Sequence, residues 1–187
     1  MRQLNEQLEK RHRLVMAWNY EKGEQWLNEL SGQGLHFKKG GLISNSFVRD
    51  ESVRYTYRMD YQMGKEGEKL QEYLDLYQDA GWEYVSSFGL TWHYFRKEWQ
   101  PGEEPQLYTD RESLVMLYKR LQQVFSIMMV VNLILMFVNI INLNTFFTEG
   151  LWTLGIPLLI LYLSLFALLG FGCWKIQQKV KKLKLHI

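Results

Sequence analysis

The side chains best suited to chemistry are few and scattered. Four histidines, His12, His36, His93 and His186, stand far apart. None lies at ligand spacing from another His, a Cys or a carboxylate, so no metal site is expected. No GxSxG elbow, phosphate loop or dinucleotide fingerprint occurs. Gly32, Gly34, Gly40 and Gly41 lie close together but lack the Lys-Ser/Thr ending of a phosphate cradle. Asp75 and Asp79 share a helix face without a partner carboxylate and read as a solvated face. Arg54 and Arg58 share a strand face, which suits either an anion or ordinary cross-strand pairing. The lone Cys173 sits in an apolar run and reads as a small membrane residue. His93, flanked by aromatic residues, is the best single candidate for a polar group inside a pocket. No catalytic residue and no cofactor are expected.

His93 belongs to GWEYVSSFGLTWHYFRKEW, Gly81–Trp99, which holds three Trp, two Tyr and two Phe. Strict alternation in RYTYRMDY, Arg54–Tyr61, marks a half-buried strand. Tyr55, Tyr57, Met59 and Tyr61 take one face, and Thr56, Arg58 and Asp60 the other. In the same way Trp92, Tyr94 and Arg96 share a face opposite His93 and Phe95, while Trp82, Tyr84, Ser86 and Phe88 share a face of the preceding strand. Aromatics on both faces exceed what two short helices cover. An apolar second face points to a partner, a ligand or a membrane; exposed cross-strand pairs are the plainer alternative. The recognition surface expected on this basis comprises Tyr55, Tyr57, Trp92, His93 and Tyr94. Trp82, following the helix-ending glycine, is expected in the core.

Two stretches positioning these strands resemble each other. WLNELSGQGLHF (Trp26–Phe37) and YLDLYQDAGWEY (Tyr73–Tyr84) align without a gap at an aromatic, a Leu, a Gly and a second aromatic. Each reads as an amphipathic helix ended by a glycine able to adopt the left-handed conformation, running straight into a strand. Arg11–Trp18 and Arg54–Tyr61 supply the preceding strands. Gly40 and Gly41 divide the first following strand pair, and Gly89 the second. The order strand-helix-strand-strand, twice over, predicts an α+β domain with two helices on one face of an antiparallel sheet.

The net charge is +2 over 187 residues, 47% of them hydrophobic. That argues for a built core and against a nucleic-acid partner, which needs a basic stripe. The N-terminal MRQLNEQLEKRHR has no apolar run of the signal-peptide type. Val124–Leu143 and Leu151–Trp174 hold no charged residue, and each reaches the ~20 residues a membrane helix needs. Trp152, Trp174 and Lys175 are the expected interface anchors. Arg111, Lys119 and Arg120 precede the first span, and five lysines from Lys175 to Lys184 follow the second; the loop Asn144–Gly150 has neither Lys nor Arg. The positive-inside rule puts both termini in the cytoplasm. Asn132 and Asn139, seven residues apart, share a helix face. With no intramembrane carboxylate or lysine they read as glue between helices, with Tyr162 and Ser164 facing them, rather than a transport path.

The segments EQWLNELSGQGLHF, YTYRMDY, LYQDAGWEYV, WHYFRK and LYTDRES together resemble the bacterial family named domain of unknown function 2812, over roughly residues 14–120. The resemblance implies a membrane-anchored cytosolic domain, often encoded beside a PadR-like transcriptional regulator, with no assigned catalytic residues.

The expected organisation is an N-terminal extension (1–10), the duplicated α+β domain (11–99), a linker (100–110), a juxtamembrane and first transmembrane helix (111–143), an external loop (144–150), a second transmembrane helix (151–174) and a basic tail (175–187). Pro101, Gly102 and Pro105 make the linker irregular, and Thr109 with Glu112 reads as a capping box. The functional expectation is a multi-pass protein of the cell membrane whose cytosolic domain is a sensory or adaptor module. It would recognise a protein partner or a small apolar ligand, and a homo-oligomer could form through the transmembrane helices. The competing classes are a membrane enzyme acting on lipid or peptide, since general acids and bases need no motif, and an accessory subunit of a transporter.

Overall fold

The computed structural model describes residues 8–103, 107–108, 111–148 and 152–185; the side chains of 111, 143–148, 152 and 154 fall outside this description. The chain forms two compact units, Met1–Asp110 and Arg111–Ile187.

The first unit contains β1 (Glu9–His12), a 3-10 turn (Ala17–Asn19), α1 (Tyr20–Ser31), β2 (Leu35–Lys39), β3 (Ser44–Arg49), β4 (Tyr55–Tyr61), α2 (Glu68–Asp79), β5 (Glu83–Phe88) and β6 (Trp92–Glu98). The strands form two three-stranded antiparallel sheets, ordered β1-β3-β2 and β4-β6-β5. In each half the third strand lies between the first and second, so both halves share element order and strand order. The α+β reading holds, but the sheet is split in two. The first strand is shorter and earlier than the expected Arg11–Trp18, because Trp18 lies in the 3-10 turn.

Pairing registers fix the faces of the second sheet. Tyr57 opposes Arg96, Met59 opposes Tyr94 and Tyr61 opposes Trp92, so the odd residues of β4 share one face with them. That face meets α1 and β2: Tyr20 stacks 5.7 Å from Trp92, and Phe37 lies 4.6 Å from Tyr94. On the opposite face Asp60 opposes His93 and Arg58 opposes Phe95, and here Tyr73 and Tyr77 of α2 pack on Phe95. The two helices therefore cover opposite faces of the second sheet, not one common face. Aromatics occupy both faces because both are interior.

A bulge at Val85 breaks the expected alternation of β5. Tyr84 opposes Phe95 on the α2 face, whereas Phe88 opposes Trp92 on the other. Trp82 is buried with Tyr73 and Phe95, as core. Gly81 (φ +81°) closes α2 in a Schellman arrangement, with Gly81 N–H donating to Gln78 O and Trp82 N–H to Tyr77 O. Gly34 (φ +73°) holds the corresponding exit from α1 after a run of tight turns, and its carbonyl accepts from Asp50 N–H at 2.8 Å.

The second unit is an antiparallel pair, α3 (Arg111–Thr148) and α4 (Trp152–Leu185). Asn139 Nδ2 donates to Tyr162 Oη at 3.0 Å, Cys173 Sγ meets Met129 Sδ at 4.0 Å, and the Lys179 ammonium lies 5.4 Å from the Tyr118 ring centre. Residue numbers thus rise on one helix as they fall on the other. Glu112–Asn142 and Gly155–Leu185 are long and apolar enough to cross a membrane. Their apolar side chains, such as Ile127, Ile134, Phe137, Ile160 and Leu163, are exposed, unlike those of a soluble core helix. Residues 144–148 of the expected loop are helical, as is the tail as far as Leu185; the capping residue Thr109 lies outside the described residues.

Alanine at the two turn glycines should separate conformational strain from crowding. A Cβ at Gly81 meets only the flexible end of Lys97 at 3.6 Å, whereas one at Gly34 meets Glu51 Cγ at 2.8 Å and Asp50 O at 3.3 Å. Gly81→Ala should cost about 1–2 kcal/mol, the left-handed penalty alone, and Gly34→Ala more. Thermal unfolding of the full chain in detergent measures the order; equal losses would contradict this account of Gly34.

Candidate functional site

Strand β4 brings three sets of polar groups together. Its even residues bond inward to β6, which leaves the N–H groups of the odd residues, Tyr55, Tyr57, Met59 and, at the strand's end, Tyr61, pointing off the sheet edge. Side chains of α1 accept the first three: Ser31 Oγ from Tyr55 at 2.8 Å, Asn28 Oδ1 from Tyr57 at 2.6 Å and Glu24 Oε1 from Met59 at 2.7 Å. Residues 24, 28 and 31 fall on one helix face, so the helix lends a row of acceptors to a strand edge that no other described strand pairs.

Ser31 also touches His36. The buried His36 ring places Nδ1 3.3 Å from Ser31 Oγ and Nε2 2.6 Å from Asp50 O, with its edge against Tyr55. The Nε2–H tautomer satisfies both contacts: the hydroxyl donates to Nδ1 and Nε2–H donates to the carbonyl.

On the α2 face lies Asp60, only 2% exposed. The Tyr73 hydroxyl donates to its Oδ2 at 2.8 Å, the Tyr77 hydroxyl to the same oxygen at 3.1 Å, and the Tyr108 hydroxyl to Oδ1. Tyr108 comes from the expected linker and thus lies against the sheet, and Leu107 packs on the Tyr73–Trp82–Phe95 cluster. His93, directly across from Asp60, is 3% exposed; its ring sits 5.1 Å from Tyr73, and neither ring nitrogen has a hydrogen-bond partner. Burial lowers its pKa below 6.5, outweighing the attraction of Asp60, so the ring is neutral at pH 7. Ser86 Oγ is likewise buried without a partner. Among the described residues no three His, Cys, Asp or Glu side chains gather as a metal site. Three phenols on one carboxyl group form a closed network suited to fixing α2 and the chain after β6 against β4.

The residues expected to recognise a partner are mostly interior. Tyr57, His93 and Tyr94 are buried, and burial lifts the Tyr57 and Tyr94 hydroxyls to about 12. Tyr55 and Trp92 are half-buried, the first beneath the Arg96 guanidinium at 4.2 Å, the second between Tyr20 and Tyr61. They therefore do not form an open aromatic face. Arg54 stacks on Trp99 and Arg58 donates to Tyr57 O, which engages both cations within the unit. Asp75 accepts from Gln71, and His12 is exposed on β1. In the helical unit Asn139 reaches Tyr162 as expected. Ser164 instead bonds its own helix at Leu161 O, and Asn132 is buried with Oδ1 unpartnered. Trp174 is exposed and Lys175 sits over Phe171; the Trp152 side chain and His186 lie outside the description. Sequence reasoning missed Glu24, Asn28 and Tyr108. The 24-28-31 spacing was visible, but nothing in it named an edge strand as the partner.

An α+β unit with a closed polar interior, followed by an apolar helical hairpin, defines the class of protein. Residues 19–130 match the family model described as Protein of unknown function (DUF2812), and the chain belongs to that family. The match runs from the start of α1 through β6 and into α3, leaving out β1; it begins about five residues later and ends about ten residues further than the resemblance suggested. No curated protein and no solved structure matches the chain.

Glu24 offers a pH readout of the α1–β4 junction. Burial raises its pKa from 4.5 to about 7, against the lowering effects of the Met59 bond and Arg58; Glu21 adds to the rise. Between those values the folded chain holds a proton that the unfolded chain has released. Stability from this group is therefore full below about pH 4.5 and is lost as pH rises toward 7. The loss is on the order of 3 kcal/mol. Glu24→Gln keeps an oxygen for Met59 N–H without the charge. It should flatten this window and be more stable than the parent at pH 8, as followed by urea unfolding from pH 4 to 8. An unchanged slope would contradict the assignment.

Proposed function

We propose that the chain is a membrane-tethered, non-catalytic module whose α+β unit works as a sensory or adaptor domain at the cytosolic membrane surface. The observation that carries this reading is the antiparallel hairpin of α3 and α4. It brings Lys119 and Arg120 to the same end as Lys175–Lys184, while the opposite end, residues 144–148, holds no cation. Such an asymmetry suits a double crossing with both flanking ends inside, and the exposed apolar flanks suit lipid.

The closed polar network supports the non-catalytic reading. Asp60 is already engaged by three hydroxyls, and His93 is buried beside it. A protein partner fits the α+β unit better than a small apolar ligand held on an aromatic face, because those aromatics are core. Its remaining apolar surface includes the β5–β6 turn, where Leu90 (φ +57°) is 70% exposed, and Met63, which follows the Gln62 N–H bond to Thr91 O at that same turn. A PadR-like regulator is the partner class that the family resemblance suggests. The shared strand order of the two halves supports their origin as an internal repeat.

Cysteine labelling of the full chain in intact cells tests the tether. Cysteines at Lys38 and Lys184, both exposed, should resist a membrane-impermeant reagent until the cells are opened, and Thr148→Cys should react at once. External labelling at Lys184 would overturn the orientation.

A further inference from the structure

We infer that the charged end of the α3–α4 hairpin is a binding site for the headgroup of an anionic phospholipid. A cleft of about 330 Å3 opens between the two helices there, lined by Gln122, Gln177, Val180, Lys181, Lys184 and Leu185. The position follows from the sequence. Gln122 stands two residues before the uncharged run that begins at Val124, and Gln177 three residues after Trp174, which ends the second. The cleft thus lies at the level where hydrocarbon gives way to headgroups, and the inference rests on the membrane reading above.

The lining matches a phosphodiester in chemistry and layout. Residues 177, 181 and 184 repeat at helical spacing, so one amide and two ammonium groups share a stripe of α4. Gln122 supplies a second amide from α3. Ammonium and amide N–H groups donate to phosphate oxygens, and the amide carbonyls accept from hydroxyls of a glycerol headgroup. Val180 and the exposed apolar flanks below offer contact for the acyl chains. Glu112, in the first turn of α3, is the one acidic residue of the hairpin's described helices, against Lys119, Arg120 and five lysines at the same end, so that end keeps a net positive charge. Two neighbouring lysines are differently engaged: Lys179 sits over Tyr118 and Lys175 over Phe171. Lys181 and Lys184 face the cleft instead. This differs from diffuse attraction of a basic tail to a charged surface, because it assigns unequal roles to lysines of equal charge.

The test uses the full chain in nanodiscs of phosphatidylcholine carrying increasing phosphatidylglycerol, with bound phosphatidylglycerol counted by native mass spectrometry after release into detergent. Lys181→Gln/Lys184→Gln should weaken retention of phosphatidylglycerol roughly tenfold or more. Lys175→Gln/Lys182→Gln, with the same loss of charge, should change it less than about threefold. Equal losses in the two variants would reduce the site to non-specific surface charge and overturn the inference. Displacement of the lipid by free glycerol phosphate at matched concentration would identify a soluble-anion site and overturn it as well. If the chain inserts into the nanodiscs without preferring phosphatidylglycerol, this inference fails and the tether stands; if it does not insert, the tether fails too.

Discussion

The α+β unit depends on how one strand edge is satisfied. Among the described residues β4 has β6 on one side and no strand on the other, yet the outer N–H groups of Tyr55, Tyr57 and Met59 are not left to water. Three side chains on one face of α1 take them, and the fit is geometric. The three donors span about 13.6 Å of strand, and residues 24 to 31 span about 10.5 Å of helix. The helix runs opposite to the strand, with Glu24, the longest of the three side chains, at one end and Ser31, the shortest, at the other. Leaving a buried N–H unpaired costs about 1–3 kcal/mol, so the row matters on the scale of a whole domain's stability. It also closes an edge that would otherwise template pairing with another chain.

This junction joins the two halves. α1 belongs by sequence to the first half, but its polar row bonds the first strand of the second. Phe37 of β2 makes the same crossing in apolar form, against Tyr57 and Tyr94, and its N–H donates to the Tyr57 hydroxyl at 3.1 Å. With α1 and β2 on one face of the second sheet and α2 on the other, the aromatic content is used for packing. Asp60 gathers Tyr73, Tyr77 and Tyr108 beneath that second face, which ties α2 and Tyr108 to the sheet.

Much of this was legible in the sequence. Strict alternation in Arg54–Tyr61 placed each β4 side chain on its correct face, because a two-residue period leaves no other choice. Gly81 marked the end of α2 because few other residues adopt its φ. The uncharged runs marked α3 and α4. What failed did so for tertiary reasons. Local periodicity shows that a helix has an apolar face but not which side of which sheet it meets, so both helices were put on one face. The bulge at Val85 carries no residue signature and reversed the expected alternation of β5. Tyr108 lay beyond two linker prolines, and only the folded chain shows its hydroxyl reaching Asp60 across forty-eight residues. The recognition surface was misplaced for the same reason: aromatics on two faces signal an interface only when one face is open.

Amide hydrogen exchange along β4 tests the central claim most directly. In the parent chain the outward amides of Tyr55, Tyr57 and Met59 should be protected comparably to the inward amides of Thr56, Arg58 and Asp60. Asn28→Ala removes the acceptor of Tyr57 alone. It should release the Tyr57 amide selectively while Arg58 keeps its protection. Rapid exchange of Tyr57 in the parent chain, or unchanged protection of Tyr57 in Asn28→Ala, would contradict the account.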